Sequence, residues 1–136
     1  MVILLLVPYV AFAHSAVEPV PRNNEPKWVE RYELLNKQAA EVGEKAQVIF
    51  IGDSITEAWE KEGREVWAKY YAPRHALNLG IGGDKTQHVL WRLDHGNIDG
   101  LKPKVAVLMI GTNNVSAEAT CVAQVADGVR AVVQKT

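Results

Sequence analysis

Three short apolar runs, each followed by glycine and polar residues and separated from the next by hydrophobics at helical spacing, predict an α/β fold with a parallel sheet. The runs are Val48 to Ile51, His75 to Leu79 and Val105 to Ile110, and the segments after them are Gly52-Asp53-Ser54, Gly80 to Asp84 and Gly111-Thr112-Asn113-Asn114. Strands alternating with helices form parallel βαβ units joined by right-handed crossovers. In open sheets of this kind a ligand sits beyond the carboxyl ends of the strands. The three polar segments are therefore expected to converge on one rim.

The chain has 136 residues, 48% of them hydrophobic, enough for one domain with a real core and too few for two comfortable ones. Residues 1–13 form a short apolar block ending in Ala11-Phe12-Ala13, without a preceding Lys or Arg. The block reads as a signal peptide, with a buried N-terminal strand as the alternative, and the signal reading implies a secreted or periplasmic protein. It is too short for a spanning helix, which needs roughly 20 apolar residues. Residues 14–25 are polar and rich in proline, as in Glu18-Pro19-Val20-Pro21, and read as an extended linker. The domain is expected over 26–136.

Trp28, Tyr32, Leu35, Ala39 and Val42 recur at the spacing of one helical face, and Gly43 is placed to end that helix. Val48 to Ile51 is continuously apolar and rich in β-branched residues, as a strand buried on both faces should be. From Ile55 to Tyr71, Trp59, Trp67 and Tyr70 stand among charges and predict an amphipathic helix bent near Gly63. A helix opening near Asp84 or Lys85 carries Val89, Leu90 and Leu93 and stops by Gly96. After the strand from Val105, the stretch from Ala117 to Gln134 puts Cys121, Val125, Val129 and Val132 on one helical face. Cys121 is the single cysteine, so no internal disulfide is possible, and on that stripe it reads as a small buried side chain.

Lys and Arg total 15 against 16 Asp and Glu, a formal charge of -1 with no long run of one sign. Nothing in that balance directs the chain to nucleic acid or to an anionic membrane.

Each polar segment has a bland explanation when taken singly. Ser54 after a strand can simply cap the next helix. Gly80, Gly82 and Gly83 can serve a tight bend; their spacing is not that of the dinucleotide fingerprint, and no acidic residue follows to hold a ribose. Asn113 and Asn114 can be turn residues. Their joint position at the ends of three successive strands changes the balance. Acyl transfer requires a hydroxyl nucleophile and donors about 3 Å from the oxyanion that develops. The N–H groups of Ser54 and Gly83 and the side-chain amide of Asn113 can supply three such donors.

Gly52-Asp53-Ser54, Gly82-Gly83-Asp84 and Gly111-Thr112-Asn113-Asn114 together resemble the first three blocks of the GDSL or SGNH hydrolases. More narrowly, the stretch from His75 to Asp84, then His88-Val89-Leu90-Trp91-Arg92-Leu93, resembles the platelet-activating-factor acetylhydrolase catalytic subunits and their secreted bacterial relatives. The similarity spans about residues 46 to 134. It implies a flavodoxin-like three-layer α/β/α sandwich with strand order 2-1-3-4-5, of which only the first three strands are expected here. It also implies Ser54 as the nucleophile of an esterase for short acyl, chiefly acetyl, esters, with Ser54, Gly83 and Asn113 as the oxyanion hole. Asp53, Asp84 and Asn114 are expected beside the substrate, a small-molecule or carbohydrate ester. No metal and no cofactor are implied. Ile55 stands where the family's name has leucine. The larger α/β-hydrolase class is disfavoured because its G-x-S-x-G motif would need glycine where Thr56 stands.

The resembled family draws its general base from a late Asp-x-x-His block, and these 136 residues contain none. Of His14, His75, His88 and His95, only His88 lies one helical turn beyond Gly83, and it reads as a satisfied histidine rather than a substitute base. The expectation is a C-terminally truncated hydrolase domain of little activity, with Val105 to Ile110 left as an exposed, aggregation-prone edge. The rival reading is a noncatalytic α/β module that holds a carbohydrate or phosphate on the same rim. Trp59, Trp67 and Trp91 are read as core rather than as a sugar platform.

Overall fold

The computed structural model describes residues 15–117 and 121–136. Residues 1–13, read above as a signal peptide, and His14 lie outside the described residues.

Helix α1 covers Pro26–Val42, opened by the proline at its first position and closed at Gly43. Strand β1 follows at Val48–Gly52, then the one-turn helix α2 at Ser54–Glu57. The next segment is not the single bent helix expected from Ile55 to Tyr71. It is a series of tight turns: Ala58–Glu60, helix α3 at Arg64–Val66, a π-helical turn at Trp67–Tyr71 and a last turn at Ala72–Arg74. Gly63 is the break. Trp59 lies so close to it that a Cβ there would be 2.6 Å from the indole, which lets Trp59 close on Trp67 at 6.4 Å between ring centroids.

Strand β2 is Leu77–Gly80, helix α4 Thr86–Leu93 and strand β3 Val105–Met109. The long helix expected from Ala117 is two helices, α5 at Thr112–Ala117 and α6 at Val122–Lys135. Asn113 and Asn114 therefore sit in a first helical turn rather than in a left-handed turn. Cys121 departs from its expected buried place: it is exposed, immediately before α6, and the buried residues of that helix are Gly128 and Val132.

The three strands are parallel in the order β2-β1-β3. Ile49 and Ile51, with their partners Leu77 and Leu79, face a core built from Trp28, Leu35 and Ala39 of α1, Val89, Leu90 and Leu93 of α4, and Val132 of α6. Each buried Ile, Leu or Val among them stabilises the fold by roughly 1.5–3 kcal/mol through the apolar surface it takes out of water. The opposite face carries Phe50, which meets Trp67 at 5.1 Å and Tyr71 at 4.9 Å between ring centroids. Helical layers thus cover both faces of the sheet, the α/β flavodoxin-like arrangement. Phe50 is the pivot of an aromatic layer, so Trp59 and Trp67 serve packing; Trp91 packs at a tilt against Trp28 and Tyr32 and stacks on His95.

β3 has only one strand neighbour among the described residues, and Val105, Val107 and Met109 are 52%, 40% and 50% exposed.

Residues 15–25 do not stand apart from the domain as an extended linker would. Ser15–Val17 forms a single turn in which Ala16 is wholly buried, and the Ala16 carbonyl accepts the Thr86 hydroxyl at 2.7 Å. The Val20 N–H donates to the Gln87 carbonyl at 3.2 Å. Gly128 of α6 makes room for this strap, because a Cβ there would lie 2.7 Å from the Ala16 carbonyl oxygen.

Candidate active site

The register pairs Gly52 with both Gly80 and Met109, so the three strands end side by side. The polar segments after them leave the sheet at one rim, as the alternation of strands and helices required. Gly80 lets α2 descend onto β2: a Cβ there would sit 2.3 Å from the Glu57 nitrogen and 2.9 Å from the Asp53 carbonyl oxygen. Only a missing side chain allows two backbones so close.

The first structural surprise concerns Ser54. The cap of α2 is Asp53, whose buried carboxylate accepts the Ile55 N–H at 3.0 Å. Ser54 is the first residue inside the helix and is exposed. The capping role weighed for Ser54 thus belongs to its neighbour, and the serine hydroxyl is not spent on the helix. A shallow depression lined by Ser54, Glu57, Ala58, Lys61 and Glu62 opens in front of it.

The second segment carries a left-handed residue, Gly83 at φ 76°. Its neighbour Gly82 abuts the serine, since a Cβ on Gly82 would be 3.8 Å from the Ser54 Cβ. The Gly82 N–H donates to Glu57 Oε2 at 2.7 Å. Among the described residues the Gly83 N–H meets no acceptor. The third segment brings Asn113, half-buried, whose Nδ2 donates to the Asp84 carbonyl at 2.9 Å and approaches Asp53 Oδ2 at 3.4 Å. Ser54, Gly83 and Asn113 are thereby gathered on the rim.

Asp53, Asp84 and Asn114, expected beside a substrate, are buried. Asp84 is wholly buried and accepts from Arg92 Nε at 2.8 Å, Trp28 Nε1 at 2.7 Å and Arg22 Nη1 at 3.1 Å. Asn114, also wholly buried, donates to Thr86 Oγ1 at 3.1 Å and Gln87 Oε1 at 2.9 Å and accepts the Thr86 N–H at 3.0 Å. Burial of such groups is tolerable only when their hydrogen bonds are made, and these make theirs within the protein. Their carboxylates and amide are tied into the segments that form the rim.

Arg22, Trp28, Glu57, Thr86 and Arg92 were given no place at the site by the sequence, yet they hold the rim segments. Arg92 carried a readable signal: it occupies the stripe of Val89 and Leu93, and a charge on a buried stripe requires a partner of opposite sign. Burial holds its guanidinium below the ordinary arginine range, against the opposing pull of Asp84. Nothing comparable marked Arg22.

His88 does not approach Ser54 with a hydrogen bond. Its Nδ1 accepts the Lys85 N–H at 3.0 Å and closes the first turn of α4. Burial, with the nearby cations of Arg22 and Lys85, pushes its pKa down to about 4, against the attraction of Asp84. It is a neutral helix support at pH 7. His75 is exposed at φ 49°, and His95 stacks on Trp91. Among the described residues no group of three or more His, Cys, Asp or Glu side chains is placed to hold a metal, and no helix is long and apolar enough to cross a membrane.

A family model described as GDSL-like Lipase/Acylhydrolase matches residues 50–136. Over 88 residues the chain is 48% identical to platelet-activating factor acetylhydrolase IB subunit alpha1 of Rattus norvegicus and 47% identical to that of Homo sapiens. Over 87 residues it is 47% identical to the subunit alpha2 of Rattus norvegicus. The matches cover 65%, 65% and 64% of this chain, but 36% of each relative. The chain spans about a third of the length of the curated relatives it matches.

Proposed function

Because this chain belongs to the GDSL-like lipase/acylhydrolase family, we propose that it is a serine esterase that hydrolyses short acyl esters, acetyl esters foremost, through an acyl-enzyme on Ser54. The observation that carries this reading is an exposed serine, relieved of helix capping by Asp53, on the same rim as the Asn113 amide and a Gly83 N–H that meets no acceptor among the described residues.

In the first half-reaction the Ser54 hydroxyl attacks the ester carbonyl, its proton passes to a general base, and the carbonyl oxygen becomes an oxyanion. The N–H groups of Ser54 and Gly83 and one hydrogen of the Asn113 amide receive that charge, as preorganised donors do in acyl transfer. Collapse of the intermediate expels the alcohol, protonated by the conjugate acid of the base. Water then repeats the sequence on the acyl-serine and releases the carboxylic acid. One Asn113 hydrogen is held by the Asp84 carbonyl at 2.9 Å, and the hydrogen offered to the oxyanion is the one that approaches Asp53 Oδ2 at the longer 3.4 Å.

The general base is the part that residues 1–136 do not offer. They contain no Asp-x-x-His, and the partly buried His88 near the site is committed to the Lys85 N–H. The 136-residue chain alone is therefore expected to hydrolyse esters slowly. Secretion follows the same logic of proposal, resting on the apolar block 1–13 and its Ala11-Phe12-Ala13 end.

A fluorophosphonate probe on the protein expressed from its whole reading frame tests the assignment. Labelling that disappears in Ser54→Ala supports the esterase. Absence of labelling in the unmodified protein replaces it with a noncatalytic module that binds carbohydrate or phosphate at the rim.

A further inference from the structure

We propose that Arg22 is a positioning residue for the oxyanion site: it clamps the peptide between Gly82 and Gly83 so that the Gly83 N–H stays aimed at the oxyanion. This rests on the serine-esterase reading above. Arg22 lies outside the 50–136 family match, in the strap whose composition reads as a linker.

The geometry is specific. Arg22 Nη1 donates to the Gly82 carbonyl at 2.8 Å and to Asp84 Oδ1 at 3.1 Å, one nitrogen bridging both sides of Gly83. In a planar trans peptide the C=O and the following N–H point in opposite directions. Fixing the Gly82 carbonyl on Arg22 therefore turns the Gly83 N–H away from Arg22. The preceding peptide is held too, by the Gly82 N–H on Glu57. Gly83 rests directly on the guanidinium, where a Cβ would lie 3.1 and 3.2 Å from its two terminal nitrogens.

Arg22 is itself immobilised. Glu25 receives its Nε at 2.9 Å and Nη2 at 2.5 Å, a two-bond fork that fixes the plane of the guanidinium. The strap behind it is pinned by Ala16 on Thr86 and by Val20 on Gln87. A glycine with positive φ is the residue least able to hold its own direction. An oxyanion donor built on one needs an external anchor, and Arg22 supplies it.

The test uses the protein expressed from its whole reading frame. Arg22→Gln is expected to lower kcat on p-nitrophenyl acetate by about 10- to 100-fold, part of the roughly 100- to 1000-fold seen when such a donor is deleted, with KM within about twofold because ground-state binding does not use the donor. Arg22→Lys, which keeps one donor for the Gly82 carbonyl, should recover part of the rate. The 15N order parameter of the Gly83 amide should fall from the rigid value of about 0.85 to below about 0.6 in Arg22→Gln. A merely structural arginine would lower the melting temperature and leave the Gly83 order parameter and kcat unchanged below it; that result overturns the proposal, as does a mobile Gly83 with unaltered kcat. If Arg22→Gln does not fold, Arg22→Lys decides: a slower kcat with a looser Gly83 supports the clamp, and wild-type values for both overturn it. If the unmodified protein shows no Ser54-dependent hydrolysis, the esterase reading falls, while the Gly83 order parameter still decides whether Arg22 is the clamp.

Discussion

Asn114 and Thr86 bind each other in both directions: the Thr86 N–H donates to Asn114 Oδ1 at 3.0 Å, and Asn114 Nδ2 donates to Thr86 Oγ1 at 3.1 Å. The segment after β3 is thereby joined to the first turn of α4, and Asn113 is carried into place beside the Asp84 carbonyl. Because Thr86 also bonds Ala16, the same pair ties the strap to the rim.

Removing Asn114 should therefore cost stability before it costs chemistry. Asn114→Ala leaves the buried Thr86 N–H without its acceptor and takes the 2.9 Å donor from Gln87 Oε1, and an orphaned buried group costs about 1–3 kcal/mol. Urea denaturation of the variant is expected to show a loss in that range. Unchanged stability would mean that the interlock is not formed in solution.

Ser54 and Asp53 should separate cleanly. Asp53→Ala removes the cap and is expected to destabilise by about 0.5–2 kcal/mol. Ser54→Ala touches no capping bond and should stay within about 0.5 kcal/mol of the parent, while abolishing fluorophosphonate labelling. The two measurements, urea midpoint and labelling, should rank the variants in opposite order.

Gly80→Ala should damage both properties at once. The new methyl group would collide with the backbone of Asp53, Thr56 and Glu57, so α2 must lift from β2 and carry Ser54 with it. Overpacking of this kind costs about 1–3 kcal/mol. Thermal melting and labelling are both expected to fall.

His88 gives stability a defined pH dependence. Its folded pKa is held down to about 4, against an unfolded value of about 6.5. Between those values the unfolded chain takes up a proton that the folded chain does not, so this contribution is complete above about pH 6.5 and is lost as pH falls toward 4. In His88→Gln the drop in urea midpoint from pH 7 to pH 5 should be smaller than in the parent. An equal drop would assign the dependence to other groups.

The flank of β3 predicts behaviour in solution. With Val105, Val107 and Met109 about half exposed on a strand with one neighbour among the described residues, residues 1–136 expressed alone should self-associate. Val107→Lys places a charge on that surface and should raise the monomer fraction in light scattering.

What the sequence determined by itself was the order of strands and helices and the rim at which they end. Val48 to Ile51 and Val105 to Ile110 are apolar and β-branched on both faces, and Leu35, Ala39, Val89 and Leu93 repeat at helical spacing. Such patterns are local, because they come from the pitch of a strand or helix. The places of Ser54, Gly83 and Asn113 on that rim were legible for the same reason: each lies in the segment that follows a strand. Tertiary structure decided how those residues are held and which neighbours are spent in holding them. Asp53, Asp84 and Asn114 look like ligands in the chain and are buried supports in the fold. Arg22 looks like part of a linker and lies against Gly82, 60 positions away. The two irregular stretches, Ala58–Arg74 and the strap at 15–25, follow no repeat, and their course is set by what they pack on, Phe50 in one case and Thr86 in the other. A periodic pattern records which face of an element is apolar, but pairing between distant polar groups leaves no period, and only the assembled fold brings their charges together.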